Sequence, residues 1–211
     1  MRSMMKDPSK TITTYRHTLR ENILSTAMHD FIRHGIKAVK MDDIAGQLGI
    51  SKRTLYELYD NKGVLLLESV KYWKAKKDLE MAALAAQSTN VMETIMTFYY
   101  AKVEDLKSTN PLLYAEIVKY PQVVEFFEQE KKRNQEISRR FLQRGLDEGY
   151  FRSDIDYELL GMLLDNVPQS VLQQQLYRQY NIDELYSSMV LVLLRGICTP
   201  KGIEELDKNK R

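Results

Sequence analysis

The run Ser51-Lys52-Arg53-Thr54-Leu55-Tyr56 sets two cations, two hydroxyls and a phenol around a single leucine. Such groups donate to anionic oxygens, and an arginine can also bond two acceptors on one base edge. Leu55 and Leu58 lie three residues apart, which on a helix makes one inward line. Lys52, Arg53, Thr54 and Tyr56 fall off that line and face outward. Before them, Ile44, Ala45 and Leu48 form a second apolar face at helical spacing, and Gly49 interrupts it. Gly49 suits a tight turn that needs a positive φ, and Ser51 suits the cap of the next helix. Ala45 is small where the two helices would cross. The pattern is a helix-turn-helix whose second helix is free to enter a major groove. The same spacing also suits an ordinary helical hairpin in an all-α protein.

Other chemistries find little support. There is no His-Glu-x-x-His pair, no glycine-rich phosphate loop and no plausible Cys–His pair. Ser3 and Lys6 have Ser-x-x-Lys spacing but sit in a polar terminus. Glu125 and Glu128 share a helix face without a histidine nearby. His29 and His34 are five apart, on different faces of a helix. No catalytic residue, metal site or cofactor is expected. The single cysteine, Cys198, excludes an intrachain disulfide framework and fits a reducing compartment.

The elements that must position the cationic helix follow from periodicity. The chain has 211 residues, with 44% hydrophobic and 28% charged, enough for a sizeable core. Residues 1–62 carry eleven Lys and Arg against seven Asp and Glu, and the remainder carries twenty against twenty-two. The basic excess therefore lies with the helix-turn-helix, as phosphate attraction would want. No run reaches the roughly 18 apolar residues of a membrane span, and residues 1–10 lack an apolar signal core. A cytoplasmic protein with no membrane partner is expected.

Residues 1–15 read as a flexible polar tail. Leu19, Ile23, Ala27 and Phe31 mark a first helix ending near Gly35. Asn61 caps a long helix from Val64 to about Ala86. Lys62, at its N-terminus, is placed to meet a phosphate. Further helices are expected over 91–106, 112–119, 122–148, 155–178 (kinked or split at Pro168) and 181–197. Residues 201–211 read as a charged tail. The total is about nine helices and no strands. The domains are 16–62, the helix-turn-helix head, and 63–200, a helical bundle.

Gly35, Asp42-Asp43-Ile44-Ala45, Leu48-Gly49-Ile50-Ser51, Thr54-Leu55-Tyr56, Tyr59 and Lys62 together resemble the N-terminal signature of TetR-family transcriptional regulators. The resemblance spans about residues 19–70. It implies a homodimer that binds a palindromic double-stranded operator, usually as a repressor. A small-molecule effector in the C-terminal domain would release it by moving the helix at Val64. Ser51, Thr54, Tyr56 and Lys62 match positions that commonly contact phosphate or sugar, and Lys52 one that commonly faces DNA. The sequence departs from the family pattern at Lys40, where a capping Ser or Thr is usual, and at Arg53, where a small residue is usual. Lys40 keeps the means to touch a phosphate. Arg53 has the reach for either two guanine acceptors or a phosphate.

Two further surfaces are expected. Met189 to Leu194 is apolar on every side, which points to a dimer interface with Leu160, Leu164, Val171, Leu185, Met189, Val192 and Leu193. Trp73, Met96, Tyr99, Tyr100, Tyr114, Phe127 and Met162 are candidates to line an effector pocket, although aromatic and Met residues at this spacing also suit plain core. A helical scaffold without DNA binding is the alternative reading. It leaves the exposed run 51–56 unexplained.

Overall fold

The computed structural model describes residues 8–209. Its head consists of α1 (Pro8–His34), α2 (Met41–Gln47), α3 (Lys52–Leu58) and the start of α4 (Lys62–Ala85). There follow α5 (Val91–Ser108), α6 (Leu112–Ile117), α7 (Pro121–Asp147), α8 (Tyr157–Leu164) and α9 (Val167–Gln173). A 3-10 turn at Leu176–Arg178, α10 (Ile182–Ile197) and α11 (Pro200–Lys208) complete the chain. Among the described residues there is no strand, only an isolated bridge between Phe151 and Cys198.

Among the described residues eleven α-helices replace the expected nine; two differences raise the count, and a third lengthens α1. The expected tail 1–15 lies partly outside the described residues, but from Pro8 onward it is helical. Proline is tolerated at the first helical position because its missing N–H would have no partner there. Residues 155–178 divide into α8, α9 and the 3-10 turn. Pro168 sits at the start of α9, where it breaks no hydrogen bond, and Gln175 takes a positive φ of 53° before the turn. The expected tail 201–211 is mostly α11. Its charges face outward while Leu206 is fully buried and Gly202 nearly so. Thr199 caps it by accepting from the Gly202 amide at 3.2 Å and donates to the Gly149 carbonyl at 2.8 Å.

Two apolar clusters hold the molecule. The head core joins Ile23, Ala27 and Phe31 of α1 to Ile44, Ala45 and Leu55, and to Leu65, Leu66 and Val70 of α4. It also takes Leu113 from α6 and Val123 from α7. The first half of α4 therefore packs with the head, along α1. The second core gathers Val91, Met92, Met96 and Tyr99 of α5 with Phe151, Leu194, Cys198 and Leu206. Burial pushes the Cys198 thiol up to about 11, against the pull of Arg195.

Two local contacts set the angles between elements. At Gly145 in α7 the Phe151 ring lies where a methyl group would stand, 2.0 Å from an ideal Cβ. Only glycine lets the chain fold back so closely after α7. At the other end, the Lys62 ammonium donates to the carbonyls of Ile36 at 2.9 Å and Val39 at 3.0 Å. That bond ties the start of α4 to the link between α1 and α2.

Gly145→Ala is expected to destabilise the protein by about 1–3 kcal/mol, because the buried ring must shift. Thermal denaturation checks it, and an unchanged melting temperature would show that Phe151 moves freely. Lys62→Met should lower the stability of the head by about 1–2 kcal/mol through two lost charge-assisted bonds. Amide hydrogen exchange over 36–48 reads that loss directly.

Candidate nucleic-acid interface and effector cavity

The interface is built from α2, the turn after it, and α3. Lys40 stands at the N-cap of α2 with extended backbone (φ −108°, ψ 149°) and caps nothing with its side chain. Asp42 and Asp43 occupy the first turn, where negative charge suits the helix dipole. At the far end the Ile50 amide donates to the Ala45 carbonyl at 3.1 Å, and the Gly49 amide to Gly46 at 3.2 Å. This double closure satisfies the last carbonyls of α2 and requires the left-handed residue that Gly49 supplies at φ 63°. Ser51 then caps α3, its Oγ accepting from the Thr54 amide at 3.0 Å. Ser51 Oγ also shares a hydrogen bond with Thr54 Oγ1 at 2.8 Å.

Leu55 is fully buried and anchors α3 against the head core. Burying such a side chain is worth roughly 1.5–3 kcal/mol, enough to fix which face of a two-turn helix points out. Ser51, Lys52, Arg53 and Tyr56 are exposed, Thr54 is half-buried, and Lys40 is exposed beside them. The Arg53 side chain is 89% accessible. These six residues form one surface.

Lys52 and Arg53 on that surface already have partners. Lys52 pairs with Asp42 across the turn, and this hydrogen bond holds the Lys52 ammonium above the usual lysine range. The Arg53 Nε donates to Glu57 one helical turn on, at 2.8 Å. That contact uses one donor of the guanidinium and leaves its terminal nitrogens for another acceptor. Lys62 stands apart from the surface. Its ammonium points back to the α1–α2 link and is occupied by carbonyls there. The N-terminal position was legible; its inward partners, 23 and 26 residues away, were not.

In the C-terminal half, a cavity of about 340 Å³ opens between α5, α6, α8, α9 and α10. Its walls are Leu106, Leu164, Val167, Pro168, Val171, Leu172, Ile182, Leu185 and Met189, with Lys102, Tyr114 and Tyr186 as its polar groups. Of the expected pocket residues, Tyr114 alone lines it. Trp73 packs against the head core with the Lys77 ammonium 5.9 Å from its ring centroid. Met96 and Tyr99 belong to the second core, and Tyr100 donates to the Asn209 carbonyl at 3.4 Å. Phe127 leans on Phe126, and Met162 is 56% exposed. Four expected interface residues, Leu164, Val171, Leu185 and Met189, line the cavity. Leu160 and Leu193 are half-buried, and Val192 is 72% exposed.

Lys102 and Tyr186 were missed. A lysine between apolar neighbours on a helix reads as a solvated residue, and only the tertiary fold sets it beside a cavity. Lys102 is exposed where it lines the cavity, and the protein around it holds its pKa below the usual lysine value, against the nearby Asp105. Among the described residues no three His, Cys, Asp or Glu side chains gather as a metal site, and no helix is long and apolar enough to cross a membrane.

Comparison with known proteins places this geometry. The chain is 26% identical over 203 residues to the HTH-type transcriptional repressor KstR2 of Rhodococcus jostii RHA1, covering 93% of this chain and 99% of that protein. In fold it is similar to a transcriptional regulator from Saccharomonospora viridis solved in complex with choline. There the TM-score is 0.68 at 20% identity, covering 87% of this chain and 99% of the other. It is also similar to the ketosteroid transcriptional regulator KstR2 of Mycobacterium tuberculosis, with a TM-score of 0.54 at 20% identity over 85% and 95% of the two chains. Residues 23–69, which hold α2, the Gly49 turn and α3, match the family described as bacterial regulatory proteins, tetR family. With its all-helical C-terminal half and its likeness along most of its length to a repressor with such a head, the chain is similar to regulators of the tetR family.

Proposed function

We propose that this protein is a DNA-binding transcriptional regulator that represses as a homodimer on a two-fold symmetric operator and releases it when a small molecule fills the C-terminal cavity. The observation that carries the reading is the outward face of α3, with Lys52, Arg53 and Tyr56 exposed around a fully buried Leu55. A helix propped in this way presents its N-terminal half to base edges, while Lys40, Ser51 and Thr54 lie beside it for backbone contacts. Lys62 acts indirectly, by holding the link that carries α2.

Dimerisation is supported by apolar side chains that the single chain leaves uncovered. Leu159, Met162 and Leu163 of α8 are 53%, 56% and 62% exposed, and Val192 of α10 is 72% exposed. A second copy covering α8 and α10 would remove this surface from water. Two heads related by a two-fold axis would meet successive major grooves about 34–36 Å apart. The interface face is thus Leu159, Met162, Leu163 and Val192, with Leu160 and Leu193 at its edge.

The choline complex of the Saccharomonospora viridis regulator supports a small-molecule effector here. A route from cavity to head is also present. Tyr114 lines the cavity, and two residues on, Glu116 Oε2 accepts from the Lys37 amide at 2.7 Å. The Asn110 amide, just before α6, donates to the Ile32 carbonyl at 2.7 Å. A ligand that displaces α6 pulls on the end of α1 and on the link to α2.

Selection of bound duplexes from a random pool, followed by titration at two salt concentrations, tests the reading. Arg53→Ala should alter the selected sequence and weaken the preferred site by roughly 1–3 kcal/mol. Uniform weakening on every duplex would instead assign Arg53 to phosphate. Asp42→Asn should tighten binding to all duplexes alike, by a few-fold, because Lys52 no longer exchanges one anion for another. Failure of the unaltered protein to bind any duplex in dilute buffer would overturn the function.

A further inference from the structure

We infer that the C-terminal cavity selects an apolar molecule carrying one negative charge, with Lys102 as the counter-ion for its head group. The inference rests on the reading of this cavity as the effector site, and it adds the chemical class of the ligand.

Among the described residues Lys102 is the only charged side chain in the cavity lining, and most of the rest is hydrocarbon, including Leu164, Val171 and Met189. The ammonium makes no hydrogen bond or ion pair with the described residues. The acid that acts on it, Asp105, is committed elsewhere: its carboxylate accepts from the Lys77 ammonium at 3.0 Å and is turned toward α4. An exposed cation beside apolar walls offers an incoming amphipathic anion both a hydrocarbon surface and a charge partner. A carboxylate there would form a charge-assisted bond, stronger than a neutral one. A neutral apolar molecule would fill the space without that bond, and a cationic one would be repelled.

The hydroxyl groups sort in the same direction. Tyr114 is already engaged with the Thr109 side chain. Tyr186 stacks on Tyr99 with ring centroids 6.1 Å apart, which fixes its ring at the cavity wall as a further donor. The volume, about 340 Å³, lies at the small end of the range for ligand sites. It suits a medium-length alkyl or compact ring system with a single acidic head.

Calorimetric titration of the full-length protein with octanoate, decanoate and dodecanoate tests the inference. The matched primary alcohols and alkyltrimethylammonium salts are titrated alongside. At least one carboxylate should bind about tenfold or more tightly than its alcohol, with the quaternary ammonium weakest. In Lys102→Met that preference should vanish while alcohol binding persists, and in Lys102→Arg the preference should remain. Lys102→Gln serves in place of Lys102→Met if the latter does not fold. Equal binding of acid and alcohol to the unaltered protein would overturn the inference. So would a preference that survives in Lys102→Met, or the absence of any carboxylate binding up to millimolar concentration. Duplex binding is measured on the same samples. Protein that holds DNA but ignores every carboxylate sinks the ligand class alone, whereas carboxylate selectivity without DNA binding sinks the regulator.

Discussion

The link between α1 and α2 is held from two directions at once. The Lys62 ammonium grips its carbonyls at Ile36 and Val39, and the Glu116 carboxylate grips its amide at Lys37. One partner opens α4 and the other sits on α6. Every backbone group that these side chains satisfy would otherwise need water, so the link has little freedom to drift. The direction of α2, and through the Gly49 closure that of α3, depends on this grip. It also makes the short α6 a bearing between the two cores, since Leu113 beside Tyr114 belongs to the head while Tyr114 belongs to the cavity.

The cationic face is arranged for exchange of partners. Lys52 and Arg53 each hold a carboxylate in the free protein, Asp42 and Glu57 respectively. Exposed pairs of this kind add little to stability. In the proposed DNA complex their effect would be on recognition: a phosphate would compete with a tethered acid, which would lower attraction to arbitrary duplexes. The Glu57 contact also restrains a long side chain that would otherwise sample many rotamers, so less order has to be acquired when the guanidinium meets a base.

Much of this was legible in the sequence, for local reasons. The Ala45–Gly49–Ser51 spacing encodes a small crossing residue, a left-handed closure and a cap, and each depends on neighbours within five positions. The caps Asn61, Asn90 and Asp156 are local in the same way. What failed to read was decided at distance. Lys62 finds carbonyls, and Lys102 a place on the cavity wall, only through the tertiary fold. The last helix was hidden by its charge content: Lys201, Glu204 and Glu205 suggest a tail, whereas Leu206 at the inward register decides for burial. The turns of the apolar run around Met189 are shared between cavity and exterior, and helical period alone does not say which turn meets which.

The buried Cys198 has a practical consequence. A thiol with its pKa near 11 is ionised in only about one molecule in ten thousand at neutral pH, and here it is also walled in by Phe151 and Leu206. The native chain thus has no reactive sulfur to be removed before a spectroscopic label is attached. A cysteine introduced on the rim of α3 would be the sole thiol open to maleimide chemistry, and in the proposed dimer the separation of the two heads could be followed by distance measurement in an otherwise unaltered protein.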